Sequence, residues 1–234
     1  MRVFIGMETS GALRSRFKAA GHDVCSVDIL PAQDGDTDDH VVGDVFEVLD
    51  DLRATGWWPD LAIFHPTCTY LTISAEWAYS DGPYHQKVKP ETLVGAARRA
   101  AREAAIEDVR RIARLPIHRK AIENPIGVLS SRFRRPDQVI QPHWFGDDAS
   151  KATCLWLWNL PELKPTKRLP GRVVEWPKGS GKMVERWSNQ TDSGQNRLPP
   201  SADRWKLRSD TFPGVADAFV EQWSNPIGDL FAAA

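Results

Sequence analysis

Apolar residues along this chain fall into short runs separated by stretches of helical spacing, and that alternation predicts an α/β fold. Arg2-Val3-Phe4-Ile5-Gly6 and Asp23-Val24-Cys25-Ser26-Val27-Asp28 read as strands, the first ending in glycine and the second in an acid. Between them Leu13, Phe17 and Ala20 recur at helical spacing over Ala12 to Gly21, and Gly21 sits where a helix C-cap belongs. An acidic loop without periodicity, Ala32 to Asp39, precedes Val41-Val42-Gly43-Asp44-Val45, a short third element. Phe46, Val48, Leu49 and Leu52 then mark the buried side of a helix from Val45 to Thr55. Leu61-Ala62-Ile63-Phe64 is a continuous apolar run, as expected of a strand buried on both faces of a parallel sheet. It stops at His65-Pro66, because proline cannot extend a central strand.

The second half is less regular. Tyr70 to Pro90 is aromatic and aperiodic, and a loop of that length is expected to act as a lid or to contact a ligand. Glu91 to Ala113 is rich in Ala and Arg and predicts a helix whose Arg98, Arg99, Arg102, Arg110 and Arg111 lie on a solvated face. Arg119-Lys120-Ala121-Ile122 leads into Glu123-Asn124-Pro125, a strand broken by proline; neighbours on a strand face opposite ways, so one of Glu123 and Asn124 is expected at the rim. Ser150 to Trp158 reads as a strand preceded by Lys151, with Cys154 in the core. From Pro161 to Pro200 the composition shifts to Pro, Gly, Lys, Ser and Asn, and periodicity is lost. This irregular, locally basic insert with Trp176 and Trp187 suits phosphate contact and base stacking, or is simply a surface loop. A helix from about Pro213 closes the chain, with its last residues frayed. The organisation expected is a catalytic domain over 1–160, the insert over 161–200, and a C-terminal helix over 201–234 packing back on the first.

Composition narrows the function classes only modestly. With 41% hydrophobic and 26% charged residues the chain has ample material for a core, and a net charge of −1 gives no global signature of nucleic-acid binding. The three cysteines are far apart and form no CxxC pair, which argues against a disulfide framework or a zinc site and for a reducing cytoplasm. No apolar run approaches membrane length, so a soluble protein without a membrane partner is expected. Oligomeric state leaves no trace in the sequence.

Two local patterns point to chemistry. Strand, glycine loop, helix, strand and terminal acid form the front half of a nucleotide-binding α/β unit, with the glycines admitting a ligand close to backbone and Asp28 placed for ribose hydroxyls. Cys68 lies just past the carboxyl end of the fourth run, where open α/β sheets place their ligands. The competing reading of Cys68 is a buried apolar side chain.

Taken together these residues resemble the DNA cytosine-5 methyltransferases, and more closely the small members of that family common in bacteriophage genomes. Phe4-Ile5-Gly6-Met7-Glu8-Thr9-Ser10-Gly11 looks like the family's first motif, the loop that meets the methionine part of S-adenosyl-L-methionine. Asp28 falls where the family holds the ribose, and Asp44 where a carboxylate accepts from the adenine amino group. Pro66-Thr67-Cys68 looks like its Pro-Pro-Cys with the catalytic thiol, and Glu123-Asn124-Pro125 like its Glu-Asn-Val. Phe145-Gly146 through Lys151 and Leu155 is similar to its Tyr-Gly…Gln-x-Arg-x-Arg strand. The resemblance implies a Rossmann-like class I methyltransferase fold, with a mostly parallel sheet and helices on both faces. It implies Cys68, Glu123 and Lys151 as catalytic residues, and Asn124 and Lys151 against the substrate. Phe4, Gly6, Glu8, Ser10, Gly11, Asp28, Asp44 and Pro66 would meet the cofactor. The chain departs from the pattern at His65, where the family has its first proline, at Thr69, and at Lys151 and Thr153, where it has two arginines.

The chemistry of cytosine asks for the same groups. Ring carbon-5 is a poor nucleophile until a thiolate adds at carbon-6, and an acid on the base's polar edge must then protonate ring nitrogen-3. A cation near Cys68 would favour its thiolate. A base within a duplex must be flipped out to reach such a site. The expected activity is methylation of cytosine in DNA, single- or double-stranded. Two alternatives stay open: a free pyrimidine nucleotide or modified base as substrate, and a non-catalytic protein that binds nucleic acid or a defence factor.

Overall fold

The computed structural model describes residues 1–73, 75–199, 208 and 210–224. The expected fraying of the C-terminal residues therefore lies outside the described residues.

Seven strands build one sheet: β1 (Arg2–Gly6), β2 (Asp23–Asp28), β3 (His40–Val42), β4 (Leu61–Phe64), β5 (Arg119–Pro125), β6 (Gln138–Ile140) and β7 (Thr153–Trp158). Their spatial order is β3-β2-β1-β4-β5-β7-β6. The first five run parallel, and β7 is antiparallel to both β5 and β6. Because β1 and β4 are buried on both faces, their apolar runs do not alternate.

Two apolar layers flank the sheet. On one face Val3, Ile5, Leu61 and Ile63 pack with Leu13 and Phe17 of α1 (Ala12–Ala19) and with Phe219 and Trp223 of the last described helix. On the other face Phe4, Ala62 and Phe64 meet Phe46 and Leu49 of α2 (Val45–Ala54) and Ile106, Val109 and Ile112 of α3 (Gly95–Arg114). Helices thus cover both faces of a mostly parallel sheet. A single-turn α4 (Leu129–Arg132) follows β5, and the last described helix, α5, spans Pro213–Trp223. Among the described residues no helix is long and apolar enough to cross a membrane.

Connections from β1 run one way, through β2 to β3, and those after β4 run the other way. That reversal opens a crevice beyond the carboxyl ends of β1 and β4.

Three expectations need correction. Glu123-Asn124-Pro125 lies inside β5, not beyond it. The β4 partner ends at Phe64, opposite Ile122, while β7 continues to pair Glu123 with Leu155, Asn124 with Cys154 and Pro125 with Thr153. Past Ile122 the strand has lost one neighbour, so a proline without N–H costs little there. The insert is not wholly irregular, because β8 (Arg172–Glu175) and β9 (Met183–Arg186) form an antiparallel hairpin. Trp187 beyond it is buried and stacks on His143 with ring centroids 3.8 Å apart, docking the insert and leaving this ring no free face for a base.

The third concerns the arginines of α3. Arg98 is buried, and Arg102 points inward. Arg98 donates to the carbonyls of Leu93 and Thr69; Arg102 donates to Tyr70 and Thr72 and pairs with Glu76 at 2.7 Å. The Arg102 guanidinium also lies 3.4 Å from the Tyr79 ring centroid. These side chains strap the aromatic segment after Cys68 to α3, so that segment is fastened and not a free lid. Arg102→Ala is expected to expose residues 70–79 to chymotrypsin roughly tenfold faster, through lower-energy local opening. Unchanged cleavage would show the strap to be incidental.

Candidate active site

A cavity of about 370 Å³ occupies the crevice, within the range of small-molecule sites. The loop after β1 contributes Glu8 and Ser10 to its wall, the end of β2 Asp28, the start of α2 Asp44, the turn after β4 His65, Pro66 and Cys68, and β5 Glu123 and Asn124. Lys151, Arg208 and Asp210 close it. Most of these residues, far apart in sequence, are gathered because they sit near the carboxyl end of a parallel strand or in the turn that follows.

Both Glu123 and Asn124 border the cavity, where one was expected. Asn124 is buried and donates from Nδ2 to the Pro66 carbonyl at 2.7 Å, so it braces the turn that presents Cys68. Its Oδ1 is buried without a partner among the described residues. Asp44 has a structural duty that the sequence reading missed: its Oδ1 accepts from Phe46 and Glu47 N–H groups at 2.9 and 3.2 Å and caps α2.

Three residues expected at the cofactor stand away from the cavity. Phe4 is in the core against the Phe64 ring. Gly6 is required by packing, since a Cβ there would lie 2.6 Å from a Phe64 ring carbon. Gly11 adopts φ 73°, and a Cβ would fall 2.1 Å from an Asp34 carboxylate oxygen. The glycines thus shape the loop from behind, and Glu8 and Ser10 face the space in front. The Ser10 hydroxyl donates to Glu8 Oε1, while Glu8 Oε2 is buried with no partner among the described residues.

The thiol and the carboxyl sit in opposed fields. Burial pushes the Cys68 thiol up, and the Glu123 charge adds to this; Lys151 and Arg208 pull the other way without cancelling it. Cys25 and Cys154, buried without those cations, are pushed to about 11. Burial would likewise raise Glu123, but the His65 hydrogen bond, the Lys151 charge and the Thr153 hydroxyl outweigh it and hold the carboxyl below its usual range. Lys151 itself donates to the Asp210 carbonyl at 3.3 Å, so it acts on both reactive groups by its charge and not by contact. Burial raises Asp28, against the lowering effect of the Leu30 N–H that donates to its Oδ1 at 2.9 Å.

Sequence reasoning missed His65, Arg208 and Asp210. His65 was visible only as a departure at the start of the cysteine motif. Nothing in the sequence around Arg208 and Asp210 marks them. Among the described residues no group of three or more His, Cys, Asp or Glu side chains could hold a metal ion. No protein-family model matches the chain, and no curated protein matches its sequence.

Proposed function

We propose that the protein is an S-adenosylmethionine-dependent methyltransferase of Rossmann-like class I fold that modifies cytosine at carbon-5 in DNA through a covalent Cys68 adduct. The observation that carries this reading is the meeting of Cys68 and Glu123 in one cavity whose other end is lined by carboxylates. A thiol paired with an acid is what addition across a pyrimidine 5,6 double bond requires. The mostly parallel sheet with helices on both faces is the architecture that the resemblance implies.

The cofactor fits the residues present. S-adenosylmethionine offers three sets of donors, an ammonium, two ribose hydroxyls and an adenine amino group. Of the six carboxylates that line the cavity, Glu8, Asp28 and Asp44 stand at or beyond the ends of β1, β2 and β3 and match these three sets. Glu8 Oε2, buried and unpartnered among the described residues, suits the ammonium, because a buried acceptor left unpaired is costly. Asp28 would take the ribose. Asp44 would take the adenine amino group with the oxygen that does not cap α2. When bound, the cofactor supplies an electrophilic methyl group on a sulfonium.

On the substrate side, Cys68 adds to ring carbon-6 while Glu123 protonates ring nitrogen-3. Asn124 keeps the Cys68 turn in place, and Lys151 tempers the charge of both reactive groups. The exposed Trp176 on the hairpin, with the basic residues around it, suits contact with a nucleic-acid strand.

Asp28→Ala is expected to weaken S-adenosylmethionine binding at least tenfold, the order expected for a lost charge-assisted hydrogen bond. Isothermal calorimetry reads this directly, and equal affinities would remove the cofactor assignment. For the reaction itself, DNA containing 5-fluorocytosine, incubated with tritiated cofactor and run on denaturing gels, should trap a labelled protein–DNA adduct. No adduct on single- or double-stranded DNA, with the cofactor still bound, would overturn the reading.

A further inference from the structure

His65 stands where the resembled family has proline, and its side chain reaches Glu123. The Nδ1 atom lies 3.3 Å from Glu123 Oε2, and both side chains are about nine-tenths buried. Nε2 of the same ring is buried and has no hydrogen-bond partner among the described residues. The backbone of His65 is fixed as well, since its N–H donates to the Gly6 carbonyl at 2.9 Å and extends the β1–β4 ladder by one step. A proline could not make that bond. The ring is thus locked at both the strand and the acid.

We infer that His65 is the positioning residue of the acid: its Nδ1–H holds Glu123 Oε2, so that Oε1 bears and presents the proton that goes to the base. This rests on the cytosine reading above.

The tautomer follows from the environment. A buried N–H with no acceptor costs more than a buried bare ring nitrogen, so the single proton of a neutral imidazole belongs on Nδ1, facing Glu123. Oε2 is already engaged by the ring, so a proton carried by the carboxyl stands on Oε1, the oxygen left for the base.

The step then balances. Cys68 enters as the thiolate, its proton already given up to solvent; the Sγ–C6 bond forms, the C5=C6 electron pair becomes a C4=C5 bond, and the C4=N3 pair moves onto nitrogen-3. Nitrogen-3 takes the proton from Oε1. Glu123 is left as a carboxylate whose Oε2 still accepts from Nδ1–H, now a charge-assisted bond. The proton returns to Oε1 when the adduct collapses. Other charges face this pair from the packed elements: Cys68 on the same turn, Lys151 ahead of β7, and Arg208 and Asp210 across the cavity. Glu8, Asp28 and Asp44 enter from the β1, β2 and α2 sides, and Asp108 from α3. None of these is replaced in the test, so their contribution is common to all variants.

The test compares wild type with His65→Leu, which removes the donor, and His65→Asn, whose amide restores a donor near Nδ1 but cannot ionise. Carbon-13 NMR of glutamate-labelled protein follows the Glu123 carboxyl through its titration. We expect the midpoint to rise by at least about one pH unit in His65→Leu, the size of a lost hydrogen bond to the charged form, and to return in His65→Asn. The single-turnover rate of Cys68 adduct formation should fall about tenfold or more in His65→Leu, as expected for a misplaced acid, with KM little changed and most of the rate restored in His65→Asn. A weaker acid that is more often protonated would by itself raise that rate, so a fall isolates positioning. An unmoved or lowered midpoint, or a rate in His65→Leu equal to or above wild type, would overturn the inference. Absence of any adduct in wild type would defeat the cytosine reading, and the NMR result would still decide whether His65 donates to Glu123.

Discussion

Cys68→Ala should abolish adduct formation, a loss of at least about a thousandfold, while S-adenosylmethionine binds as in wild type. The selectivity of that loss is what makes it informative. Cys68 borders the cavity from the turn after β4, and its carbonyl accepts from Leu71 and Thr72 and not from the loops that carry Glu8, Asp28 and Asp44. The replacement is also mild for the fold, because Cys68 is only partly buried and lies outside both apolar layers.

The pH dependence separates this mechanism from mere thiol reactivity. The thiol is raised and the carboxyl is lowered, so the reactive pairing of thiolate with protonated Glu123 is a minor form at neutral pH. Between the two ionisations, each unit of pH gives about tenfold more thiolate and about tenfold less acid, and the product stays level. The adduct rate should therefore be flat across that interval and fall below the carboxyl's ionisation and above the thiol's. Alkylation of Cys68 by iodoacetamide needs the thiolate alone, and should climb about tenfold per unit over the same interval. An adduct rate that rose with pH in parallel with alkylation would remove Glu123 from the chemistry.

How much of this was legible in the sequence depends on where the physical cause lies. Strands such as Leu61–Phe64 were read to the residue, because burial on both faces leaves an uninterrupted apolar run. The places of Asp28, Glu123 and Cys68 at the cavity wall were legible from the strands: Asp28 ends β2, Glu123 belongs to β5, and Cys68 lies in the turn after β4. What failed was anything set by a partner remote in sequence. Pro125 looked like a strand breaker because the antiparallel β7 that sustains it lies some thirty positions downstream. Arg98 and Arg102 were read as a solvated face because their acceptors, the carbonyls of residues 69 to 72, are backbone atoms without a sequence signature. Gly6 and Gly11 fitted a phosphate- or cofactor-binding loop by pattern, whereas their need is steric and comes from Phe64 and Asp34. The pairing of His65 with Glu123 was equally invisible, since its two members lie 58 positions apart.

The same blindness hid a buried guanidinium and its counter-ions, and they yield the largest stability effect we expect. Arg14 of α1 is 1% exposed, on a helix whose sequence showed only the stripe of Leu13, Phe17 and Ala20. Its NH2 group reaches both oxygens of Asp34 at 2.5 and 2.6 Å, Nε reaches Asp36 at 3.1 Å, and NH1 donates to Ser26 at 2.7 Å beside His40. The acidic loop without periodicity is thus the counter-ion shell of a buried guanidinium. It also braces the Glu8–Ser10 side of the cavity, because Gln33 in that loop bonds Thr9 through both backbone and side chain, at 2.8 and 2.7 Å. Arg14→Met keeps the apolar stem and deletes the charge. Asp34 and Asp36 are left facing each other without their cation, and the buried Ser26 and His40 keep their bond to each other but lose the guanidinium. Breaking a buried pair from one side costs about 3–5 kcal/mol, which for a chain of this length lowers the melting temperature by about 10 °C. Arg14→Lys should recover little of it, since one ammonium cannot fork to two carboxylates and a hydroxyl together. A melt within about 2 °C of wild type for Arg14→Met would mean that the loop folds without its counter-ion. The brace on Thr9 would then have to come from Gln33 alone.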